Sequence, residues 1–430
     1  MQVSIPRPED VEACLAQRDF PRALAMSAAL LDSDPGNAGY RTLRTTALMA
    51  AGQWRQAADL LEAAAREAPT PFVVKARLAV CRAALGDHAG ALGPFANALA
   101  ERPDEFRLRL AFAESLGATG DVDAALPEYF RAVHDAQERG RWLDDASTPP
   151  QLRERVKQAM RLVDSGRRAW FERLLQPHVA TFGRDSLARV EEALQIYLGM
   201  RTATGDPRQK PKFLWMPALP ATPFFDRALF DWYPRLEQAT DAIRDELQAV
   251  LARERELTPF LHIDDKHVED AYLAGNPDSR AWDAYFFHRH GERNDEHLRA
   301  CPRTAAALES VPLTRIDGHA PEVLFSVLAP QTHIKPHHGV TNTRVVTHLP
   351  LLIPDGDCKL VVGDDVHAWQ TGRCITFDDT FLHEAWNRTD HTRVVLILDT
   401  WNPWLREEEC VVLKDLVEGI GAFNLRAGIR

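Results

Sequence analysis

Between Thr332 and Pro350 the chain reads THIKPHHGVTNTRVVTHLP, with histidines at 333, 337, 338 and 348 and no carboxylate. Neutral imidazole is the commonest metal ligand among side chains, so this density raises the question of a metal centre. A second stretch, FDDTFLHEAWN, adds His383 behind Asp378 and Asp379, and Arg393 follows ten residues later in HTRVVLILDTW.

Spacing removes two kinds of site. His333 and His337 are one helical turn apart, as in a zinc protease, but the glutamate base is missing and Pro336 would break such a helix. A cupin-type centre wants an HxH followed by glutamate. Here His337 and His338 are adjacent, so on a strand they point to opposite faces and one of them at most meets the interior.

The elements that must position these residues are short strands. From about Val311 onward VLFSVLAP, TRVVTHLPLLIP, CKLVVG, CITFDD and RVVLILDTW alternate with segments rich in glycine, proline, aspartate and asparagine. The pattern predicts an antiparallel sandwich or jelly-roll barrel whose mouth can hold a metal and a small molecule. A helix from about Arg406 to Gly421 is expected to close one end.

The first 140 residues are of another kind. RDFPRA from Arg18, GQWRQA from Gly52, GDHAGA from Gly86 and GDVDAA from Gly120 start 34 positions apart; the same phase carries Ala23, Ala57, Ala91 and Ala125, then Pro35, Pro69 and Pro103. A fixed period of this length marks stacked helix pairs. Glycine at the turn, alanine at the close approach and proline after the second helix resemble the tetratricopeptide repeat family, with departures at Arg18 and at Gln137, where proline is expected. The resemblance implies a solenoid with a concave groove that grips a peptide or protein, with plain scaffolding as the alternative. From about Pro149 to Arg201 the pattern is helical without that register, and the five prolines of TATGDPRQKPKFLWMPALPATPFFD read as an extended boundary before the helix WYPRLEQATDAIRDELQAVLARE.

At 430 residues the chain is long enough for two or three cores. A net charge of −11 argues against a nucleic-acid partner, and no window reaches the roughly 18–20 apolar residues of a membrane span. The start, MQVSIPRPEDVEAC, lacks a basic region followed by an apolar core, so a cytoplasmic location is expected. Cysteines 14, 81, 301, 358, 374 and 410 form no CxxC pair and read as reduced, mostly buried residues.

A β scaffold carrying a histidine, a distant second histidine and then an arginine resembles the iron- and 2-oxoglutarate-dependent dioxygenases. There the imidazoles leave coordination positions open for cosubstrate and oxygen, and a guanidinium pairs with the far carboxylate of 2-oxoglutarate. Their usual third ligand is an acid two residues after the first histidine, yet position 339 is glycine. That departure belongs with FSVLAPQTHIKPHHGVTNTR, HLPLLIP, W-x-x-G-x-x-x-x-FDD-x-F-x-HE-x-W and R-x-x-x-x-x-D-x-W, a set similar to the aspartyl/asparaginyl β-hydroxylase family over roughly Lys212 to Pro403. The resemblance implies Fe(II) on His337 and His383, with Gly339 leaving room for water, and O2 as co-substrate. It implies 2-oxoglutarate contacts from Ser326, His348 and Arg393, with Arg344 as the candidate to replace the arginine that the family often has at the position of Val346. His333 and His338 are then bystanders. Asp378 and Asp379 either accept from a ligand imidazole or cap a strand turn. Trp369, Trp386 and Trp401 belong to the core or line a pocket, and Trp282 lies in SRAWDAYFF, which resembles the family's substrate-side wall.

The expected architecture is therefore a multidomain α + β chain: a tetratricopeptide solenoid over 1–140, a helical connector over 141–205 and a double-stranded β-helix (jelly-roll, cupin-like) dioxygenase domain over 206–430. The implied activity is hydroxylation of the β-carbon of an aspartyl or asparaginyl side chain on a peptide, protein or carrier-bound substrate. The alternatives are an interaction scaffold with an inactive barrel, a halogenase that uses the space at Gly339 for chloride, and a hydroxylase of lipid acyl chains or free amino acids.

Overall fold

The computed structural model describes residues 5–66, 70–253, 256–260, 272–275 and 280–429. Two compact units are formed, one from Met1–Ala169 with Phe423–Arg430 and one from Trp170–Ala422.

The first unit opens with four helix pairs: α1 (Pro8–Ala16) and α2 (Phe20–Ser33), α3 (Ala38–Ala50) and α4 (Trp54–Ala65), α5 (Phe72–Ala84) and α6 (His88–Glu101), α7 (Phe106–Ala118) and α8 (Val122–Gln137). The 34-residue period has a backbone cause. Each pair turns through a residue with positive φ, 73°, 81° and 87° at Gly52, Gly86 and Gly120, and Arg18 adopts 58° at the same register. Asp19, Asp87 and Asp121 then accept a backbone N–H in the first turn of α2, α6 and α8. Ala23, Ala57, Ala91 and Ala125 are at most 2% exposed, because any larger side chain would push the paired helices apart. Pro35 and Pro103 follow α2 and α6; Pro69 lies outside the described residues. Helix α9 (Arg153–Phe182) and a helix at Ala188–Tyr197 come next, and no described helix is long and apolar enough to cross a membrane.

The second unit is built on two antiparallel sheets. Its strands are β1 (Thr258–Pro259), β2 (Leu273–Ala274), β3 (Trp282–Arg289), β4 (Glu292–Arg293), β5 (Val323–Leu328), β6 (Thr332–His337), β7 (Arg344–Leu352), β8 (Cys358–Val362), β9 (Asp365–His367), β10 (Ile375–Phe377), β11 (His383–Asn387) and β12 (Arg393–Trp401). The larger sheet has the order β1-β3-β5-β12-β7-β10, with β4 paired to β3; the smaller has the order β2-β6-β11-β8-β9.

The larger sheet is buried on both faces. Leu328, Val346, Val395 and Phe377 meet Ile334, Leu360, Val362 and Ala385 of the smaller sheet. On its other side Phe287, Phe325, Val345 and Leu396 pack against Ile243, Leu247, Leu298 and Leu308 of flanking helices. A strand buried on both faces shows no alternation. That is why β3, WDAYFFHR, escaped the sequence reading, which placed the β region only after Val311. The closing helix spans Glu407–Arg426, five residues beyond the expected end at Gly421.

Candidate active site

His337 ends β6 and His383 opens β11, neighbouring strands in which the two residues are directly paired. The register slips between His383 and Ala385, where β6 carries Lys335 and Pro336 against Glu384. Proline has no N–H to give a ladder and is tolerated at such a bulge, which also re-aims the next side chain. The two imidazole rings lie 4.1 Å apart, centre to centre. His337 Nδ1 is 2.8 Å from the Lys335 carbonyl, and His383 Nδ1 is 3.1 Å from the Phe381 carbonyl. A carbonyl only accepts, so both Nδ1 atoms carry the proton and both Nε2 lone pairs remain free for a metal. Burial pulls both imidazoles below their ordinary range, His383 to about 3, and holds them neutral.

The side chain absent at Gly339 is replaced in space by that of Asp379. A Cβ at 339 would fall within the Asp379 carboxylate, and the Gly339 N–H donates to the Asp379 carbonyl at 2.6 Å. Asp379 Oδ1 is buried without a hydrogen-bond partner, and burial pushes the carboxyl up to about 7 against the pull of Arg344. Asp378 instead caps the strand turn, accepting from Thr380 N (2.9 Å), Thr380 Oγ1 (2.6 Å) and Gln209 Nε2 (2.7 Å). Neither acid accepts from a ligand imidazole, because backbone carbonyls take that role.

At the other end of the cavity Arg393 is 1% exposed. Its Nη1 donates to the carbonyl and the Oγ of Ser326, both at 3.3 Å, and its guanidinium lies 4.9 Å over Trp369. Among the described residues no carboxylate pairs with it, and Nε is buried without a partner. Ser326 Oγ also accepts from Trp282 Nε1 at 3.0 Å, so its own proton is free to point elsewhere. Trp369 Nε1 donates to His348 Nδ1 at 3.3 Å, which leaves the His348 proton on Nε2. Burial, aided by Arg393, holds His348 well below its ordinary range and therefore neutral. Ser326, His348, Arg393, His337, His383 and Asp379 all line one cavity of about 160 Å³.

A family profile described as Aspartyl/Asparaginyl beta-hydroxylase matches residues 237–403, a span that contains every one of those six residues. The chain is 37% identical over 184 residues to the ornithine lipid ester-linked acyl 2-hydroxylase of Rhizobium tropici, covering 42% of this chain and 61% of that protein. It is 33% identical over 174 residues to the aspartyl/asparaginyl beta-hydroxylase of Homo sapiens, covering 40% of this chain and 21% of that protein. The β-rich unit belongs to the aspartyl/asparaginyl β-hydroxylase family. The chain spans less than two thirds of the length of either relative. A thermophilic TPR protein of Thermus thermophilus aligns over 36% of this chain and 83% of its own, at 23% identity and a TM-score of 0.30.

Within this unit Arg344, the remaining expected cosubstrate contact, lines the same cavity. It shares a face of β7 with His348, but four residues of strand separate them by about 13 Å. There its Nη1 lies 3.0 Å from Asp399 and 3.5 Å from Asp379. Val346 faces the same cavity with an apolar side chain. His333 pairs with Glu384 at 2.6 Å, and His338 Nδ1 donates to the Thr380 carbonyl at 2.8 Å. Trp369 is core, Trp386 is held by Asp357 at 2.8 Å, and Trp401 packs in a separate cluster.

Several residues beside the site were not singled out by sequence. Tyr272 meets the His337 ring edge-on at 5.9 Å, and Lys212 Nζ donates to its hydroxyl at 3.4 Å. The segment carrying Lys212 is pinned to both histidine-bearing loops, through Lys210 N to the Thr380 carbonyl (2.9 Å) and Lys212 N to the Gly339 carbonyl (3.1 Å). Asp399, by contrast, is the acid of the motif R-x-x-x-x-x-D-x-W that begins at Arg393.

Proposed function

We propose that this chain is an Fe(II)- and 2-oxoglutarate-dependent hydroxylase. The observation that carries the reading is Arg393, a fully buried cation with no counter-ion among the described residues. A desolvated charge left unpaired is strongly unfavourable, so the cavity calls for an anionic ligand at that end. The far carboxylate of 2-oxoglutarate supplies it, received by Arg393 with the Ser326 hydroxyl, while His348 Nε2–H donates to the acid nearer the metal. His337 and His383 would hold the iron through Nε2, and Asp379 Oδ1, buried beside Gly339 without a partner, can accept from a water. The chemistry that iron, O2 and 2-oxoglutarate supply together is insertion of one oxygen atom into a C–H bond, with succinate and CO2 as co-products. The Asp379 side chain also argues against a halide at that position, since it fills the space beside Gly339.

The substrate we propose is an aspartyl or asparaginyl side chain on a peptide, protein or carrier. A groove of about 740 Å³ lined by α1, α3, α4 and α5, with Tyr40, Arg41, Val73 and Arg77, suits a peptide in the first unit. A second reading is hydroxylation of an acyl chain. It is favoured by a cavity of about 480 Å³, walled by Phe213, Phe286, Ile316 and Val417, that shares Phe260, Glu322 and Arg344 with the site cavity. All six cysteines are free, which fits a reducing cytoplasm as the place of action.

The test is anaerobic addition of Fe(II) and 2-oxoglutarate with observation of the visible charge-transfer band, followed by aerobic incubation with Asp- and Asn-containing peptides and with lipid extracts. A band absent in His337→Ala, and a product heavier by one oxygen atom, are expected. No band from folded wild-type protein would sink the reading.

A further inference from the structure

The helices of the solenoid end in a loop, 138–152, that leads into α9 and borders a small, half-open cavity of about 200 Å³. Its lining includes three arginines, the exposed Arg107 and Arg141 and the half-buried Arg153, together with Phe106, Trp142 and Thr148, and contains no acidic residue. None of the three arginines forms an ion pair among the described residues. Two acids of the same loop have partners: Asp144 accepts from the wall residue Ser147, N at 2.7 Å and Oγ at 2.8 Å, and Asp145 pairs with Lys157 at 3.0 Å.

One polar group of the wall is buried and unmatched among the described residues. Trp142 is 1% exposed, and its indole N–H has no hydrogen-bond partner. Its ring meets Phe106 edge to face at 5.0 Å, a contact that replaces little of a hydrogen bond to an oxygen. Thr148 is buried beside it. A buried donor left unsatisfied is unfavourable, so this indole N–H beside three arginines without an ion pair describes a place shaped for an acceptor with several oxygens. Trp142 is held there with φ of +56°, a conformation that bulky residues avoid unless the surroundings impose it.

We propose that this pocket binds a phosphate group, as inorganic phosphate or as the head of a small phosphomonoester. Three positive charges match a dianion better than a single carboxylate. The cavity is below the roughly 300–1,000 Å³ typical of larger organic ligands, so it takes the anion and a short substituent at most. Arg153 Nε donates to the Thr148 carbonyl at 3.3 Å, which fixes one guanidinium and leaves its Nη atoms for the ligand. The site lies wholly within the first unit and does not depend on the hydroxylase reading.

Isothermal titration of the full chain with inorganic phosphate, at constant chloride, tests this, with phenyl phosphate and acetate as parallel titrants. Saturable binding of phosphate is expected, with acetate much weaker. Equal or tighter binding of phenyl phosphate identifies the ligand as a monoester, and binding of inorganic phosphate alone identifies the free ion. The double variant Arg141→Gln/Arg153→Gln should weaken binding by about tenfold or more, the loss of a charge-assisted hydrogen bond. Trp142→Phe, which keeps the contact with Phe106 but removes the N–H, should weaken it by a smaller factor. Arg155→Gln, whose guanidinium is engaged by Glu114, should leave it unchanged. No saturable binding to wild-type protein, binding indifferent to the double variant, or acetate binding as tightly as phosphate would each overturn the proposal.

Discussion

The carboxylate of Asp379 occupies the volume that any side chain at Gly339 would need. The two residues lie on different loops, each beside one of the paired histidines, and the Gly339 N–H to Asp379 carbonyl hydrogen bond locks them together. Gly339→Ala should therefore lower stability by about 1–3 kcal/mol, the usual range for overpacking a buried position. Combined with Asp379→Ala, most of that loss should be recovered. Denaturant titration of the two single variants and the double variant measures the coupling, and simply additive losses would show that the volumes do not compete.

Arg393 links the stability of the ligand-free protein to its capacity for an anion. Arg393→Met removes a buried charge that has no partner, so the ligand-free variant should melt no lower than wild type. The same change should weaken 2-oxoglutarate binding by about 100-fold, in line with removing one partner of a buried charge pair. Thermal shift with Mn(II) and 2-oxoglutarate reads both effects. A ligand-induced shift that survives in Arg393→Met would contradict the assignment.

Two buried groups tilt the pH dependence of stability in opposite directions. Burial pushes Glu322 up from 4.5 to about 7, so in this window the folded state keeps a proton that the unfolded chain has released. Its contribution is complete below pH 4.5 and is lost as pH rises through 7. Burial, reinforced by Arg315 and Arg293, pulls His288 down from 6.5 to about 4, so its contribution is present above pH 6.5 and is lost as pH falls through 4. Each is worth at most about 3 kcal/mol across its window. Relative to wild type, Glu322→Gln should gain stability as pH rises from 5 to 8, and His288→Phe should gain as pH falls from 7 to 4. Denaturation midpoints across that range give the two signs.

Arg18 adopts a φ of 58° where the other three repeats place glycine. A side chain in the left-handed region costs about 1–2 kcal/mol, partly offset by the greater freedom of glycine in the unfolded chain. Arg18→Gly is expected to stabilise the solenoid by about 1 kcal/mol, and Gly86→Ala to destabilise it by a similar amount. Thermal melts monitored by helicity would measure both, and a loss of stability in Arg18→Gly would show that its side-chain contacts outweigh the backbone strain.

The period of the first 140 residues was legible in sequence because each repeat restates one local rule: a left-handed turn, a small residue where helices touch, and a proline where the second helix stops. The strand runs after Val311 were legible for the same reason, and so were the histidines and Arg393 as chemical types in a spaced pattern. Local rules act between residues a few positions apart, and such patterns survive in one dimension. What only the tertiary structure decided is how distant groups meet. Strand β3 was hidden because burial on both faces erases alternation. The proton positions on His337, His383 and His348 follow from backbone carbonyls and an indole supplied by folding. Arg344 lines the same cavity as the other expected cosubstrate contacts, and long-range strand register brings Asp399 and Asp379 beside it. The volume beside Gly339 is filled from 40 positions away, by Asp379. Burial and register set charge state and proximity, and both are properties of the packed chain.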